Sequence, residues 1–340
     1  PRVGAMPLRT VFFGTPQAAV PTLGALLCSP HEVLVVVTAP DRPRDRGMEL
    51  KPSPVKARAL EAGIPVLQPP TLRAEPIQEE LRALGADVFV VTAYGLILPP
   101  AVLEAAPNGC LNVHFSILPR LRGAAPVQWA LIQGHERTGV TIMQMDPGLD
   151  TGPIIDVAET PVAPDDTAGT LEERLAHMGA KLLVEVLDRL EHVGVERHPQ
   201  DNDRATLAPK LTPADARIDW SQDARMVVNR IRAFNPRPGA WTTLGDRRLK
   251  VWRAQMPPEP DGAEGRAGAG GAGGPAPGEI RAALGGLPPG EVGAAPGGGM
   301  LVGTGTTEVL VAEVQPEGSR RMAAADFLRG LHSDSGIRLT

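Results

Sequence analysis

An asparagine and a histidine separated by one residue form the most chemically suggestive pattern in the chain. Asn112 and His114 lie in the segment GCLNVHFSILPRLRG, which begins at Gly109. On a β-strand the two side chains face the same side, because successive residues alternate between the faces. An amide and an imidazole side by side at a strand end can stabilise negative charge on an attacked carbonyl oxygen. A histidine beside a strand can equally be a satisfied structural residue, so both interpretations stay open.

A second polar cluster, DPGLDTG, runs from Asp146 to Gly152. It is rich in turn-forming residues and carries two carboxylates four positions apart, Asp146 and Asp150. The cluster can be an ordinary solvated loop. If it lies over the strand end that carries His114, one carboxylate can orient the imidazole or help to remove a proton through a water molecule.

Strands and helices alternate around these residues. This alternation predicts an α/β fold with a Rossmann-like, mostly parallel sheet. The loops after Phe13, Thr38, Thr92 and His114 should then meet at one edge of the sheet, where chemistry is expected. The predicted strands are 8–13, 33–38, 64–67, 87–92, 139–145 and 154–159, and the predicted helices are 17–28, 53–62, 75–84 and 167–192.

The chain has 340 residues, which favours two domains. Hydrophobic residues make up 42% and charged residues 21%, enough apolar material for a packed core. We predict a catalytic domain over 1–194, a linker over 195–209 and a smaller, mostly β domain over 210–340. At about 257–290 the composition collapses to Gly, Ala and Pro, which predicts a largely disordered insertion.

The charge distribution indicates where nucleic acid could bind. The net charge of −5 argues against a chain that is basic throughout. Residues 210–253 nevertheless carry ten Lys or Arg and four Asp or Glu, a local charge of +6. The loop DRPRDRG, which begins at Asp41, adds three arginines, whose forked donors match phosphate oxygens. Without further evidence this loop can also be a solvated charged loop.

The cysteines and histidines exclude several classes of site. Cys28 and Cys110 cannot form a disulfide framework or a Cys-rich zinc site, which suits a reducing, cytoplasmic compartment. Cys110 is not expected to be a nucleophile, because nothing nearby in the sequence lowers its pKa. The histidines other than His114 show no metal-ligand spacing, so no metal site is predicted. No segment approaches the roughly 20 apolar residues that span a bilayer, so no membrane partner is expected.

Several long strings recur in an order known from one protein family. They are AYGLILP from Ala93, NVHFSILPRLRGAAPVQWA from Asn112 and TGVTIMQMDPGLDTGPII from Thr138. These strings resemble the 10-formyltetrahydrofolate-dependent formyltransferases. The strings APDRPRDRGMELKPSPVK and IRAFNPRPGAW are similar to the branch of this family that formylates methionyl-tRNA. The resemblance covers about Leu8 to Leu331, apart from the insertion.

The resemblance implies an activity and a set of site residues. The enzyme would transfer the formyl group of its co-substrate, 10-formyltetrahydrofolate, to the α-amino group of methionyl-initiator tRNA for translation initiation. By position, Asn112, His114 and Asp150 would be catalytic. The amine of an aminoacyl ester is already a fair nucleophile, so the enzyme must align it and stabilise the oxyanion. The implied folate-binding residues are Ala93, Tyr94, Gly95, Leu96, Ile97, Leu98, Ser116, Leu118, Pro119, Met145, Asp146 and Leu149.

The resemblance also implies a macromolecular partner. Charged initiator tRNA would be contacted by the arginine-rich loop and by an OB-like β-barrel formed from residues 210–340. We expect a monomer. The implied tRNA-binding residues of the loop are Arg42, Arg44, Arg46 and Lys51.

Three other functions share features with this sequence. A dinucleotide-dependent oxidoreductase begins with a similar strand and turn, but Gly14-Thr15-Pro16-Gln17 lacks the G-x-G-x-x-G pattern, which excludes that class. A formyltransferase acting on another amine, such as an amino sugar nucleotide, is the nearest alternative. A folate- or RNA-binding protein without catalysis would not require Asn112, His114 and Asp150 to converge.

Overall fold

The protein is described by a computed structural model that covers residues 7–44, 49–257, 286–295, 299–331 and 337–340. It divides into two compact units. The first contains Pro1–Val127, Glu136–Val162 and Thr170–Lys210, and the second contains Gln128–His135, Ala163–Gly169 and Leu211–Thr340. Residues 195–209, predicted as a linker, lie in the first unit. The predicted domain boundaries stay predictions.

The first unit is built on a seven-stranded sheet with the order β5-β2-β1-β6-β7-β8-β9. The five strands from β5 to β7 are parallel, whereas β8 and β9 continue the sheet antiparallel. This confirms the mostly parallel fold. The strands are β1 (Arg9–Gly14), β2 (Glu32–Val37), β5 (Val66–Leu67), β6 (Val88–Thr92), β7 (Cys110–His114), β8 (Arg137–Gln144) and β9 (Ile154–Pro161).

A two-stranded hairpin, which the sequence did not predict, follows β2. Its strands are β3 (Arg42–Arg44) and β4 (Glu49–Lys51), and they pair antiparallel. The helices are α1 (Val20–Cys28), α2 (Pro54–Glu61), α3 (Glu75–Ala83), α4 (Pro100–Leu103), α5 (Pro126–Ile132) and α6 (Ala168–His192). Helix α2 begins as its sequence indicates, because the Ser53 hydroxyl accepts the backbone N–H of Lys56 at 3.0 Å and Pro54 occupies the first turn.

Buried aromatic residues join the central strands. Phe13 of β1 and Phe89 of β6 are fully buried, and their ring centroids lie 5.4 Å apart. Burial of each such side chain stabilises the fold by about 1.5–3 kcal/mol. At the carboxyl ends of the strands, the Thr15 hydroxyl donates to the carbonyl of Tyr94 at 3.0 Å and accepts the N–H of Ala39 at 3.3 Å. The loops after β1, β2 and β6 therefore meet, as predicted for these three loops.

Close packing between β7 and α6 determines which face of β7 is available to a ligand. A Cβ atom placed on Gly179 of α6 would lie 2.5 Å from Cγ1 of Val113. Val113 therefore points toward α6. Because side chains alternate along a strand, Asn112 and His114 point to the opposite face.

The second unit contains an antiparallel sheet of six strands. Along β10-β11-β14-β13-β12 neighbouring strands are hydrogen-bonded, and β15 pairs with β14. Closure into an OB-like barrel stays a prediction. Most of the predicted insertion, residues 258–285, lies outside the described residues. The elements are α7 (Ala224–Ala233), β10 (Ala240–Leu244), β11 (Arg247–Gln255), β12 (Val292–Ala294), β13 (Met300–Gly303), β14 (Glu308–Pro316), β15 (Met322–Ala323) and α8 (Ala324–Arg329). Within the described ranges, every helix is too short or too polar to cross a bilayer.

Candidate active site

His114, the last residue of β7, faces an aspartate from the loop between β8 and β9. Its Nδ1 lies 3.8 Å from Oδ2 of Asp150, and the two side chains are 6% and 15% exposed. Its Nε2 lies 3.0 Å from the carbonyl oxygen of Leu121. A carbonyl oxygen only accepts hydrogen bonds, so Nε2 carries a proton and donates it. Nδ1 is therefore the ring nitrogen that can gain or lose a proton beside the carboxylate.

Asn112 lies on the same face as His114, two residues earlier on β7. It pairs in register with Val91 of β6 and Met143 of β8, so strands on both sides fix its backbone. Its side chain is partly exposed, and within the described part of the chain its carboxamide has no hydrogen-bond partner. The carboxamide N–H groups are thus available to a bound carbonyl oxygen.

Asp150 occupies an unusual backbone conformation in its loop. Its φ of +51° lies in the left-handed region, which costs roughly 1–2 kcal/mol for a residue other than glycine. Two hydrogen bonds from outside the loop support this conformation. The N–H of Gly123 donates to Oδ2 at 2.8 Å, and the Gln200 carboxamide donates to the Asp150 carbonyl at 2.8 Å. The carboxylate is consequently held toward His114.

The other carboxylate of this loop has a different part in the structure. Oδ1 of Asp146 accepts the N–H of Gly148 at 3.0 Å and the hydroxyl of Thr151 at 2.7 Å. These bonds close the turn locally. The structure therefore brings Asp150, and not Asp146, to the imidazole.

The turn after β7 is held by hydroxyl groups. The Ser116 hydroxyl donates to the carbonyl of Arg120 at 2.6 Å. The Thr141 hydroxyl donates to the carbonyl of Ser116 at 2.7 Å and accepts the N–H of Leu118 at 3.1 Å. The Leu118–Pro119 peptide bond is cis. Ser116 and Leu118 are buried, so the observed bonds give this segment a role in shaping the turn beside His114.

The loop after β6 presents backbone to a small cavity. Ala93 and Gly95 have positive φ angles of 47° and 87°. Tyr94, Gly95 and Leu96 line a cavity of about 210 Å³ together with Thr15, Lys51 and neighbouring residues. Burial raises the pKa of the Tyr94 phenol to about 12, so this group stays protonated.

The remaining residues expected to contact folate lie elsewhere in the first unit. Met145 and Asp146 line a second cavity, of about 540 Å³. Two large apolar side chains on these loops are unusually exposed, Ile97 at 77% and Leu149 at 61%. Leu98 is buried. The expected folate-binding set is thus spread over two cavities, exposed positions and buried positions, and its role stays a prediction.

Cys110 lies in the core beneath the site. Its Sγ lies 3.7 Å from the carbonyl oxygens of Val102 and Leu103. Burial raises the pKa of this thiol to about 12, which keeps it neutral and unreactive near pH 7.

One group of potential metal ligands occurs among the described residues, formed by His31, Asp188 and Glu191. The backbone N–H of Leu8 donates to Nδ1 of His31 at 3.3 Å, so Nδ1 has no proton and Nε2 carries it in the neutral ring. This Nε2 lies 3.3 Å from Oδ1 of Asp188. A protonated nitrogen has no lone pair for a metal, and the group is best described as a histidine that faces carboxylates.

The arginine-rich loop is anchored at its base. Lys56 donates to Oδ2 of Asp41 and to Oε1 of Gln68, the latter at 2.6 Å. Gln68 also donates to Oδ1 of Asp41 at 2.9 Å. These hydrogen bonds hold the pKa of the Asp41 carboxyl below its usual value, and the bond from Lys56 contributes more than the bond from Gln68. Of the expected tRNA contacts, Arg42 lies opposite Lys51 in the β3–β4 hairpin, Arg44 lies on β3, and Arg46 lies outside the described residues.

The basic region of the second unit contains a half-buried tryptophan flanked by cations. The guanidinium carbons of Arg217 and Arg248 lie 5.7 Å and 4.2 Å from the ring centroid of Trp241. Trp220 and Trp252, by contrast, are buried.

Sequence reasoning missed Gln200 and Arg122, which connect the Asp150 loop to the segment after α6. Gln200 lies in a polar stretch without periodicity, and Arg122 lies inside the motif string that begins at Asn112. A signal was available in the cluster of side-chain amides and carboxylates at Gln200-Asp201-Asn202, placed in the stretch predicted as a linker.

Comparisons with known proteins assign the family. The family model described as Formyl transferase matches residues 8–187, and that described as Formyl transferase, C-terminal domain matches residues 210–332. The methionyl-tRNA formyltransferase of Chromobacterium violaceum is 44% identical over 333 residues, which cover 98% of this chain and 99% of that protein.

Solved structures share the fold at low sequence identity. An N-formyltransferase from Helicobacter canadensis, in complex with folinic acid and dTDP-3-aminofucose, superposes with a TM-score of 0.61 at 18% identity, over 90% of this chain and 99% of that one. HypX from Aquifex aeolicus, in complex with tetrahydrofolic acid, gives a TM-score of 0.60 at 16% identity over 97% of this chain. The chain spans about half the length of HypX, 50%. With the fold confirmed and both family models matched, the chain belongs to the formyl transferase family, and within it to the methionyl-tRNA formyltransferases.

Proposed function

We propose that this chain transfers the formyl group of 10-formyltetrahydrofolate to the α-amino group of methionyl-initiator tRNA. The observation that carries the proposal is the position of Asp150 beside Nδ1 of His114, at 3.8 Å, on the strand face that Asn112 shares. A protein that only binds folate or RNA has no need for this arrangement. The full-length similarity to a methionyl-tRNA formyltransferase supports the choice of acceptor.

In the proposed reaction the amine of the methionyl ester attacks the formyl carbon. Asn112 donates a hydrogen bond to the formyl oxygen, where negative charge develops, and such a donor lowers the barrier by about 3–4 kcal/mol. Protonated Nδ1 of His114 can stabilise the same charge. Because Nε2 is bound to the Leu121 carbonyl, the imidazole cannot turn without losing that bond.

Proton transfer completes the proposed reaction. The new bond joins the amine nitrogen to the formyl carbon, and the bond from that carbon to N10 of the folate breaks. The amine loses one proton and N10 gains one, so the reaction is balanced without a further reagent. Asp150 can accept the amine proton through a water molecule, while the imidazole at Nδ1 can supply the proton to the leaving nitrogen.

The loops around β6 and β8 offer surfaces for the folate. Ala93 and Gly95, both with positive φ, are exposed, and Ile97 and Leu149 present apolar surface on loops that the family resemblance places against the pterin. Folate contacts by these residues are part of the proposal.

The proposed contacts with tRNA rest on charge. The hairpin formed by β3 and β4 carries Arg42, Arg44 and Lys51, and the second unit carries the cations around Trp241. Three acidic residues of the 210–253 region act as local caps in turns or at a helix start, Asp215, Asp219 and Asp223. A basic surface of this kind suits binding to a phosphate backbone.

We further infer a cytoplasmic monomer. Cys28 is exposed and Cys110 is buried, and both are free thiols, which suits a reducing compartment. Light scattering of the purified chain at several concentrations tests the monomer.

Formyl transfer to charged initiator tRNA, with 10-formyltetrahydrofolate as donor, tests the proposed function. We expect rapid formation of N-formylmethionyl-tRNA and no comparable reaction with an amino sugar nucleotide. Transfer to the sugar nucleotide alone would establish the alternative acceptor, and folate binding without transfer to any amine would refute catalysis.

A further inference from the structure

The support of Asp150 comes from a segment that contributes no strand to the seven-stranded sheet. Gln200 lies after α6, and its Nε2 donates to the carbonyls of Asp150 at 2.8 Å and of Gly152 at 2.7 Å. These two carbonyls lie on either side of the residue that follows Asp150. Gln200 therefore clamps the backbone of this loop on both sides of Thr151.

The other end of the Gln200 carboxamide is bound to a buried arginine. Oε1 of Gln200 accepts hydrogen bonds from Nε and Nη2 of Arg122 at 3.0 Å and 2.7 Å. Arg122 is only 6% exposed, and its Nη2 also donates to Oδ1 of Asn202 at 2.9 Å. Burial of the guanidinium makes these bonds costly to break, because an unsatisfied buried charge is strongly unfavourable.

The chemistry of the two partners requires a carboxamide between them. A guanidinium only donates hydrogen bonds, and a backbone carbonyl only accepts them. A carboxylate at position 200 would satisfy Arg122 but would direct an oxygen at the carbonyls of Asp150 and Gly152. An apolar side chain would satisfy neither partner.

The same segment also fixes the loop that contacts the imidazole. The Thr206 hydroxyl accepts the N–H of Leu121 at 2.9 Å, and the Thr206 carbonyl accepts the N–H of Arg122 at 2.8 Å. The carbonyl of Leu121 in turn accepts the proton on Nε2 of His114. Residues 200–208, here called the brace segment, therefore hold both members of the His114–Asp150 pair.

We propose that Gln200 is a positioning residue of formyl transfer, which acts by keeping the Asp150 carboxylate beside Nδ1 of His114. This inference rests on the proposed function of that pair. The left-handed backbone of Asp150 needs external support, and Gln200 supplies one of the two observed bonds. Displacement of a reacting group by about 1 Å can slow a reaction by about 100-fold.

Kinetics of Gln200→Glu and Gln200→Met test the inference. Both variants should reduce kcat by at least about tenfold, while KM for each substrate changes by less than about twofold, because neither variant removes a substrate contact. Gln78→Glu is the matched control, since Gln78 also donates from Nε2 to a backbone carbonyl, that of Leu72, at 2.9 Å. This control should retain the wild-type kcat. Unchanged kcat in both Gln200 variants would overturn the inference.

A double-mutant cycle separates positioning from general destabilisation. If Gln200 acts through Asp150, Gln200→Met should cost about tenfold or more in the wild-type background and less than about twofold in an Asp150→Asn background. Equal losses in the two backgrounds would show that Gln200 acts elsewhere and would refute the inference.

Two further outcomes keep this inference distinct from the proposed function. Full activity of Asp150→Asn would refute the catalytic part of Asp150 whatever Gln200 does. Amide hydrogen exchange does not depend on catalytic turnover. The measurement on the wild-type chain is informative even if a Gln200 variant fails to fold. The N–H of Gly123, bound to Asp150, should be strongly protected in the wild-type chain and exchange at least about tenfold faster in a folded Gln200→Met variant. An unprotected Gly123 amide in the wild-type chain would contradict the brace.

Discussion

Nδ1 of His114 faces Oδ2 of Asp150 across 3.8 Å, while the opposite nitrogen of the ring is bound to a backbone carbonyl. The bond at Nε2 thus fixes the orientation of the imidazole, while Nδ1, within the described ranges, makes no hydrogen bond to the backbone and faces the carboxylate. Nδ1 therefore faces a carboxylate on the same side of the sheet as Asn112. In the proposed reaction, this arrangement would fix the direction of proton transfer to or from the imidazole before any substrate binds.

Removal of either donor on β7 should nearly abolish formyl transfer. We expect Asn112→Ala to lower kcat by roughly 100- to 1000-fold, because one oxyanion donor contributes about 3–4 kcal/mol. His114→Ala should have an effect of similar size. Single-turnover assays measure the chemical step, and filter binding of charged tRNA should show unchanged affinity. Wild-type turnover in either variant would contradict the assignment.

Arg46→Ala should impair the use of tRNA more than the use of folate. Loss of one phosphate contact should raise KM for tRNA and reduce the dependence of log affinity on log salt by roughly 1. Arg82→Ala, a change on the exposed end of α3, is the control. An unchanged KM for tRNA in Arg46→Ala would exclude a contact by this arginine.

The two cysteines should differ in reactivity. Cys28 is exposed and should react with a thiol reagent at pH 8, whereas Cys110, with a pKa of about 12, should react only after unfolding. A colorimetric thiol count should therefore give one group in the native chain and two in denaturant. Rapid modification of both thiols in the native chain would contradict the buried position of Cys110.

The raised pKa of Cys110 also makes the free energy of unfolding depend on pH. Between the ordinary value of 9.0 and about 12, the unfolded chain loses this proton while the folded chain retains it. The thiol's contribution to stability is thus present below pH 9.0 and is lost as pH rises toward 12. Urea midpoints across this range, compared with those of Cys110→Ala, should show a steeper loss in the wild-type chain.

Two helical glycines should respond oppositely to alanine. In a helix, Gly→Ala alone stabilises by about 1 kcal/mol. Gly24 of α1 has no atom within 4 Å of an added Cβ, so Gly24→Ala should raise the unfolding midpoint. Gly179→Ala would press against Val113 at 2.5 Å, and overpacking of about 1–3 kcal/mol should outweigh the helical gain. Equal stabilisation by both changes would contradict the close packing of α6 on β7.

Strands β2 and β6 of the parallel sheet could be predicted because each is a run of mostly β-branched residues. Strand β3 could not, since Arg42-Pro43-Arg44 has no apolar alternation and forms only by pairing with β4. The common face of Asn112 and His114 followed from their spacing. The position of Asp150 did not, because it depends on a positive φ and on a partner, Gln200, that lies 50 residues away. Such contacts leave no periodic pattern in a sequence.

The brace segment lies beyond both the last strand of the first unit's sheet and helix α6. A polypeptide cut after His192 would keep all seven strands of the first unit's sheet and helix α6. It would lack the Gln200 carboxamide that binds the Asp150 carbonyl and the Thr206 hydroxyl that binds the N–H of Leu121. Judged only by its strands, this fragment would look complete. We therefore expect the shortest active fragment to extend through at least Ala208, beyond the last strand of the first unit's sheet.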